Sequence, residues 1–320
     1  MKPITTFRTG AALGSSFFCL SGSIDGFAPE EQYTRVIIYD EREEHVWSFY
    51  EEDHRVSAIC TWKDPAEGFE IFVTMSDEGD VVFSDYEPIS EKIPEAGVFS
   101  DDAKGWGYMS AVRQIGDLLY AVGGAGQIYQ RTGLNRWRHM DDGVLQSPST
   151  DGRLLLTDIN GTNEKDIYVC GDIPGAYGLE GRLFHWDGIT WTLLELPTTE
   201  RLTRMFLRQN GELWVCGANG TLLHGDWSHG FTDVSTIDDN QLFYSLTEFN
   251  DRLYLASNLG LFTFDGNDIR QLTSGLSPEL RDTHVVQAVD GVLWSFGFKD
   301  IVKYDGAKWI RINHPDNSPI

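Results

Sequence analysis

Residues 290–312, DGVLWSFGFKDIVKYDGAKWIRI, decide the fold of this chain. The stretch opens on the turn Asp290-Gly291, continues in the apolar run Val292-Leu293-Trp294-Ser295-Phe296 and breaks at Gly297. A second run, Ile301-Val302-Lys303-Tyr304, ends at Asp305-Gly306, and a third starts at Trp309. Asp and Gly tolerate the positive φ of tight hairpin turns, so three short runs joined this way read as an antiparallel meander.

Working outward, the same unit recurs along the chain. An aromatic in the second run, just before a small residue, marks each pass: Phe18, Phe72, Tyr120, Tyr168, Trp214, Tyr254 and Trp294. The separations are 54, 48, 48, 46, 40 and 40 residues. A period of roughly 40–50 residues with strand signatures points to the blades of a β-propeller, as in WD-repeat and kelch proteins. One four-stranded sheet buries little alone, whereas blades stacked around an axis cover both faces of each, with the aromatics filling the gaps. The expected fold is all-β: a single domain of seven blades, each of four antiparallel strands, with little helix. Approximate blade bounds are 3–52, 53–104, 105–150, 151–198, 199–238, 239–280 and 281–314, with the ring closing by packing of the first blade on the last.

The repeat resembles bacterial propellers whose blades end in a Tyr/Trp-Asp-Gly-x-x-Trp hairpin. The residues are Trp186-Asp187-Gly188-Ile189-Thr190-Trp191 and Tyr304-Asp305-Gly306-Ala307-Lys308-Trp309, with Phe264-Asp265-Gly266 as a shorter copy. The pattern is also similar to the Asp-box of sialidases and photosystem assembly factors, but Asp and Gly are adjacent here, so a sialidase activity does not transfer. The resemblance implies a fold and leaves function open.

Composition narrows the partners. The chain of 320 residues carries a formal net charge of −24, and residues 1–102 hold 22 acidic against 7 basic residues. Nucleic acid and anionic membrane would be repelled; a protein with a basic surface would be attracted. No run reaches the ~18–20 apolar residues of a membrane helix. Residues 11–20 are interrupted by Gly and Ser and fit the first repeat better than a signal peptide. The four cysteines, Cys19, Cys60, Cys170 and Cys216, form no CxxC pair, and Cys170 and Cys216 sit at equivalent places inside apolar runs. They read as reduced, which points to the cytoplasm.

In a propeller the fourth-to-first and second-to-third connections gather on one face. The sequence places acids there: Glu51, Glu52 and Asp53; Asp101 and Asp102; Asp141 and Asp142; Asp238 and Asp239; and, in the second-to-third loops, Asp77 and Glu78, Glu180 and Asp300. Trp106 lies in a Gly-rich stretch, and Tyr177 in residues 172–182, DIPGAYGLEGR, which outgrow the equivalent loops. Aromatics ringed by acids make plausible anchors for a basic partner. Catalytic signatures are thin: there is no GxSxG, P-loop or HExxH, and the Gly123-Gly124-Ala125-Gly126 run joins two strands and opens no helix. His185 and His224 occupy similar positions in adjacent repeats, without a metal-ligand pattern around them. No catalytic residue, metal or cofactor is expected.

The reading is therefore a non-catalytic, protein-binding propeller. Its most concrete form is a cytosolic immunity-type protein that caps a basic toxin domain with an acidic face. A scaffold or assembly factor is the second possibility. A propeller enzyme acting on glycans, or a quinone- or metal-dependent oxidoreductase, is the third.

Overall fold

Among the described residues, twenty-one glycines and eight others, most of them Asn or Asp, take positive φ. They sit mainly between runs of β-branched and aromatic residues. In a computed structural model, which describes residues 4–26, 33–65, 68–85, 87–237 and 240–320, these turns fold the chain into seven four-stranded antiparallel sheets, each built from four consecutive strands. Blade 1 holds Thr5–Gly14, Phe17–Ile24, Thr34–Asp40 and Trp47–Glu52. Blade 2 holds Val56–Lys63, Glu70–Ser76, Asp80–Phe83 and Ile89–Lys92. Blade 3 holds Met109–Ile115, Leu118–Gly123, Ile128–Gly133 and Arg136–His139, and blade 4 holds Leu155–Asn163, Asp166–Gly175, Gly178–Trp186 and Trp191–Leu193. Blade 5 comprises Leu202–Leu207, Leu213–Gly217, Leu222–Asp226 and Gly230–Asp233, and blade 6 Phe243–Phe249, Arg252–Ser257, Gly260–Phe264 and Ile269–Gln271. Blade 7 comprises Val285–Val289, Val292–Phe296, Ile301–Tyr304 and Trp309–Arg311. No helix occurs among the described residues.

The core is seven separate clusters, one in each gap between blades. Tyr120 packs with Leu156, Ile159 and Val169 across the gap from blade 3 to blade 4. Tyr168, Trp214 and Tyr254 fill the next three gaps in the same way, and Trp294 the gap from blade 7 to blade 1. Phe18 and Phe72 depart from this pattern. Phe18 packs backward on blade 7, and Phe72 backward on blade 1. The residues that face forward in these two blades are their neighbours Cys19 and Val73. Successive strand residues point to opposite faces, so an offset of one residue moves an aromatic from one gap to the other.

The first strand of each blade lines the axis, and each packs on the next around the ring. In six of the seven, a register shift places one extra residue in this strand: Arg8, Ser57, Ser110, Thr157, Thr203 and Tyr244. In blades 2 to 5 that residue is Ser or Thr, and its hydroxyl donates across a gap or along its own blade. Thr203 Oγ1 lies 3.1 Å from the Cys216 carbonyl and 2.6 Å from the Phe243 carbonyl of blade 6. Thr157 makes the same pair of contacts to Cys170 and to Leu202 of blade 5. Bulges leave a backbone position unpaired and turn a side chain out of the ladder; here they supply the polar stitches between inner strands.

Among the described residues, no strand is exchanged between the first and last blades. Blades 1 and 7 join through Phe7 N to Phe298 O at 2.8 Å, Gln287 to both backbone groups of Ala12 at 2.7 and 3.0 Å, and Trp294 Nε1 to Gly14 O at 3.0 Å. The C-terminal tail adds Asn317 Oδ1 to Thr5 N at 2.9 Å and Asp316 to Arg35 at 3.0 Å.

Candidate recognition face

Because every blade runs in the same sense, its fourth-to-first and second-to-third connections fall at one end of the ring. The largest feature there is the fourth-to-first connection of blade 2, residues 93–108. Glu78, in the tight turn of the same blade, holds it: Glu78 Oε2 accepts from Val98 N at 2.9 Å and Phe99 N at 2.8 Å. Gly97 permits this approach, since it has φ +83° and a Cβ there would stand 2.8 Å from the Glu78 carbonyl oxygen. Asp102 Oδ2 accepts from Glu95 N at 2.8 Å and tightens the same loop. With its backbone pinned, the loop leaves Phe99 69% exposed, beside Tyr108 with ring centroids 6.4 Å apart. The Arg55 guanidinium lies over Tyr108 at 5.4 Å and pairs with Asp77 at 2.7 Å.

Blade 3 secures the other side. His139 Nδ1 lies 2.9 Å from Asp141 Oδ2, and the ring meets half-buried Trp106 edge-on at 5.2 Å. The Asp141 hydrogen bond raises the His139 pKa, against burial and with help from Glu95. Asp141 Oδ2 also accepts from Ile128 N at 3.0 Å.

Several expected positions need correction. Glu51 and Glu52 belong to the fourth strand of blade 1, not to a connection; Glu51 is exposed and bridges to Arg35 at 3.0 Å, while burial, before any charge, raises the pKa of Glu52. Asp77, Glu78, Asp141 and Asp300 are buried, so they position backbone and arginines and do not face a partner. Burial outweighs Arg55 and raises the Asp77 pKa. Asp300 holds Arg311 through two bonds of 2.7 Å. Residues 172–182 form no loop. The two central strands of blade 4 continue as a paired hairpin to Gly175 and Gly178, placing Glu180 in a strand and leaving Ala176 and Tyr177 as the turn. Glu180 is half-buried and pairs with Arg182 at 3.0 Å. Asp238 and Asp239 lie outside the described residues. Asp53, Asp101, Asp102, Asp142 and Tyr177 are exposed on this face.

Phe99, Val98, Tyr108 and Leu179 are exposed apolar side chains of these two projections, and sequence reasoning did not single them out; Leu259 and Phe298, in the second-to-third turns of blades 6 and 7, are exposed on the same face. For Val98, Phe99 and Tyr108 the local signal was the length of residues 93–108, and for Leu179 that of residues 172–182. The face is thus a surface in which aromatic side chains on two hydrogen-bonded projections stand among exposed carboxylates. Among the described residues, no three His, Cys, Asp or Glu converge in a set able to hold a metal ion.

Fold and face together define a seven-bladed β-propeller with a projecting aromatic and acidic surface. The chain is 32% identical over 224 residues to the immune protein Tsi7 of Pseudomonas aeruginosa, an alignment that spans 70% of this chain and 69% of that protein, and it belongs to the Tsi7 family of immune proteins. No family model matches the sequence. Among solved structures, YCF48 bound to a D1 peptide aligns with TM-score 0.62 and 13% identity over 93% of both chains. The WD40 propeller domain of Doa1 aligns with TM-score 0.62 and 8% identity over 95% of this chain and 93% of that one. At such identities these two similarities speak for the fold alone.

Proposed function

We propose that the chain is a non-catalytic immunity-type protein that binds a toxin domain with a basic surface, through the face formed by residues 93–108 and the Tyr177 hairpin, in the cytoplasm. The observation that carries this reading is the 32% identity to the immune protein Tsi7. The chemistry of the face supports it. Contiguous exposed aromatics are uncommon on a monomer and serve as anchors once a partner desolvates them. Surrounding carboxylates, in a chain of net charge −24, draw a cationic domain toward them and slow the approach of anionic competitors. A toxin that acts on a polyanion needs a basic groove, which an acidic surface would occupy.

The test uses a cognate toxin domain, identified by capture from the source cell, and measures association and dissociation rates separately. Phe99→Ala and Tyr177→Ala are expected to raise the dissociation rate by about tenfold or more each, as for anchor residues, with an unchanged melting temperature. Asp53, Asp101, Asp102 and Asp142 changed together to Lys are expected to slow association and flatten its dependence on salt. Wild-type rates in both sets would place the binding surface elsewhere. A captured partner that is no toxin, or no complex with any toxin domain of the source cell, would end the immunity reading.

A further inference from the structure

The first strands of all seven blades enclose an axial cavity of about 560 Å³, within the range of small-molecule sites. Its lining includes Ser57, Gln114, Asn160 and Gln287, and the charged side chains in it are Arg113 of blade 3 and Arg204 of blade 5. In a protein of net charge −24, no carboxylate among the described residues lines this space. We infer that the axial cavity is a binding site for a small hydrophilic oxyanion, a phosphate or carboxylate compound, held by Arg113 and Arg204.

Charge balance and hydrogen bonding both lead there. Behind the wall, buried Asp158 of blade 4 accepts from Arg113 Nη2 at 3.1 Å and Arg204 Nη1 at 3.4 Å through Oδ1, while its Oδ2 takes the Met205 amide at 2.8 Å. One carboxylate shared by two guanidiniums leaves one positive charge without a counterpart. Both arginine side chains are about a third exposed, at 35% and 32%, so this surplus charge is accessible to an anion that enters the cavity. Arg113 Nε is also buried without a hydrogen-bond partner. Three amide side chains of the lining are already engaged: Gln114 with both backbone groups of Lys63, Gln287 with those of Ala12, and Asn160 with Met205 O and Gly161 N. The arginines are the charged donors of the lining, and their planar forks match carboxylate and phosphate oxygens. Phe206 is the one aromatic among the described residues of the lining.

The experiment needs no protein partner, so its outcome is independent of the immunity reading. The full chain is titrated calorimetrically with inorganic phosphate and, separately, with citrate, at constant ionic strength against a chloride control. Saturable one-to-one heat with either anion is expected, and the preferred anion tells a phosphoryl ligand from a carboxylate one. Arg113→Gln and Arg204→Gln should each weaken binding roughly tenfold, while Glu87→Lys, in the exposed turn before the fourth strand of blade 2, should leave it unchanged. Asn160→Asp, which supplies the missing negative charge from within, should abolish binding in a folded protein even where an arginine variant fails to fold. No saturable heat with either anion, or undiminished binding in Asn160→Asp, would overturn the assignment.

Discussion

Glu78 shows how a single carboxylate can serve recognition without touching a partner. Its Oε2 holds the amides of Val98 and Phe99, so the exposure of the Phe99 ring depends on an acid that is itself buried. Removing the acceptor leaves two backbone donors to find water or go unpaired, at a cost of about 1–3 kcal/mol. Glu78→Ala is therefore expected to lower stability by about that amount and to speed amide exchange at residues 98 and 99 ahead of the rest of the chain. Exchange that rises uniformly would show that Glu78 supports the blade and not the loop. The sequence could not separate Glu78 from Asp101. An acid in a turn reads the same whether it meets solvent or two distant amides, and what decides is the path of a loop some twenty residues downstream.

Among the strands, the hydroxyls at the inner-strand bulges distinguish this ring from a plain stack of sheets. Thr203 reaches from its own blade to the Phe243 carbonyl of the next, and Ser110 and Thr157 reach the same way to Leu156 and Leu202. Thr203→Val keeps the shape and removes the donor, leaving a buried carbonyl with one fewer partner. A loss of about 1 kcal/mol is expected in urea unfolding, against no measurable change for Thr232→Val on the exposed fourth strand of the same blade. Equal effects of the two would remove the hydroxyl from the account of blade cohesion. The strands themselves were legible, because apolar runs bounded by Asp-Gly and Gly turns are local signals. The bulges were not, since one inserted residue shows only when a partner strand supplies the register.

For the ring as a whole, the join between blades 1 and 7 concentrates two buried histidines. His284 stacks on Phe298 at 4.7 Å, and His314 meets Phe7 and Trp47 edge-on at 5.5 and 4.7 Å. Burial holds both at a pKa of about 4, below the ordinary 6.5. For His284 it outweighs the Asp282 charge, with the Arg204 and Arg8 charges adding to the depression; for His314 it outweighs Asp316, with Arg35 adding. A base depressed in the folded state costs nothing above pH 6.5, where both states are neutral. Below it the unfolded chain takes up the proton first, so stability falls from pH 6.5 to about pH 4, by up to roughly 3 kcal/mol per histidine. Burial raises Glu52, Asp77 and Asp172, which act in the opposite sense over the acidic range. The informative quantity is thus the pH slope of wild type minus that of a His284→Gln, His314→Gln double variant. A positive difference over this window, with amide exchange accelerating first at the seam, is expected; identical slopes would exclude the pair as the acid-sensitive join.

The number of blades and their four-strand plan followed from residue order alone, because turn conformation and strand period are properties of neighbours along the chain. The direction each aromatic faces did not: Phe18 and Phe72 share the pattern of Tyr120 and Tyr168, yet fill the preceding gap, because strand pairing shifts their place by one residue. The division of the acids into buried clamps and exposed charges was likewise settled only once distant loops met. A carboxylate's role depends on which amides and arginines the closed ring brings to it, and those partners come from other turns, strands and blades.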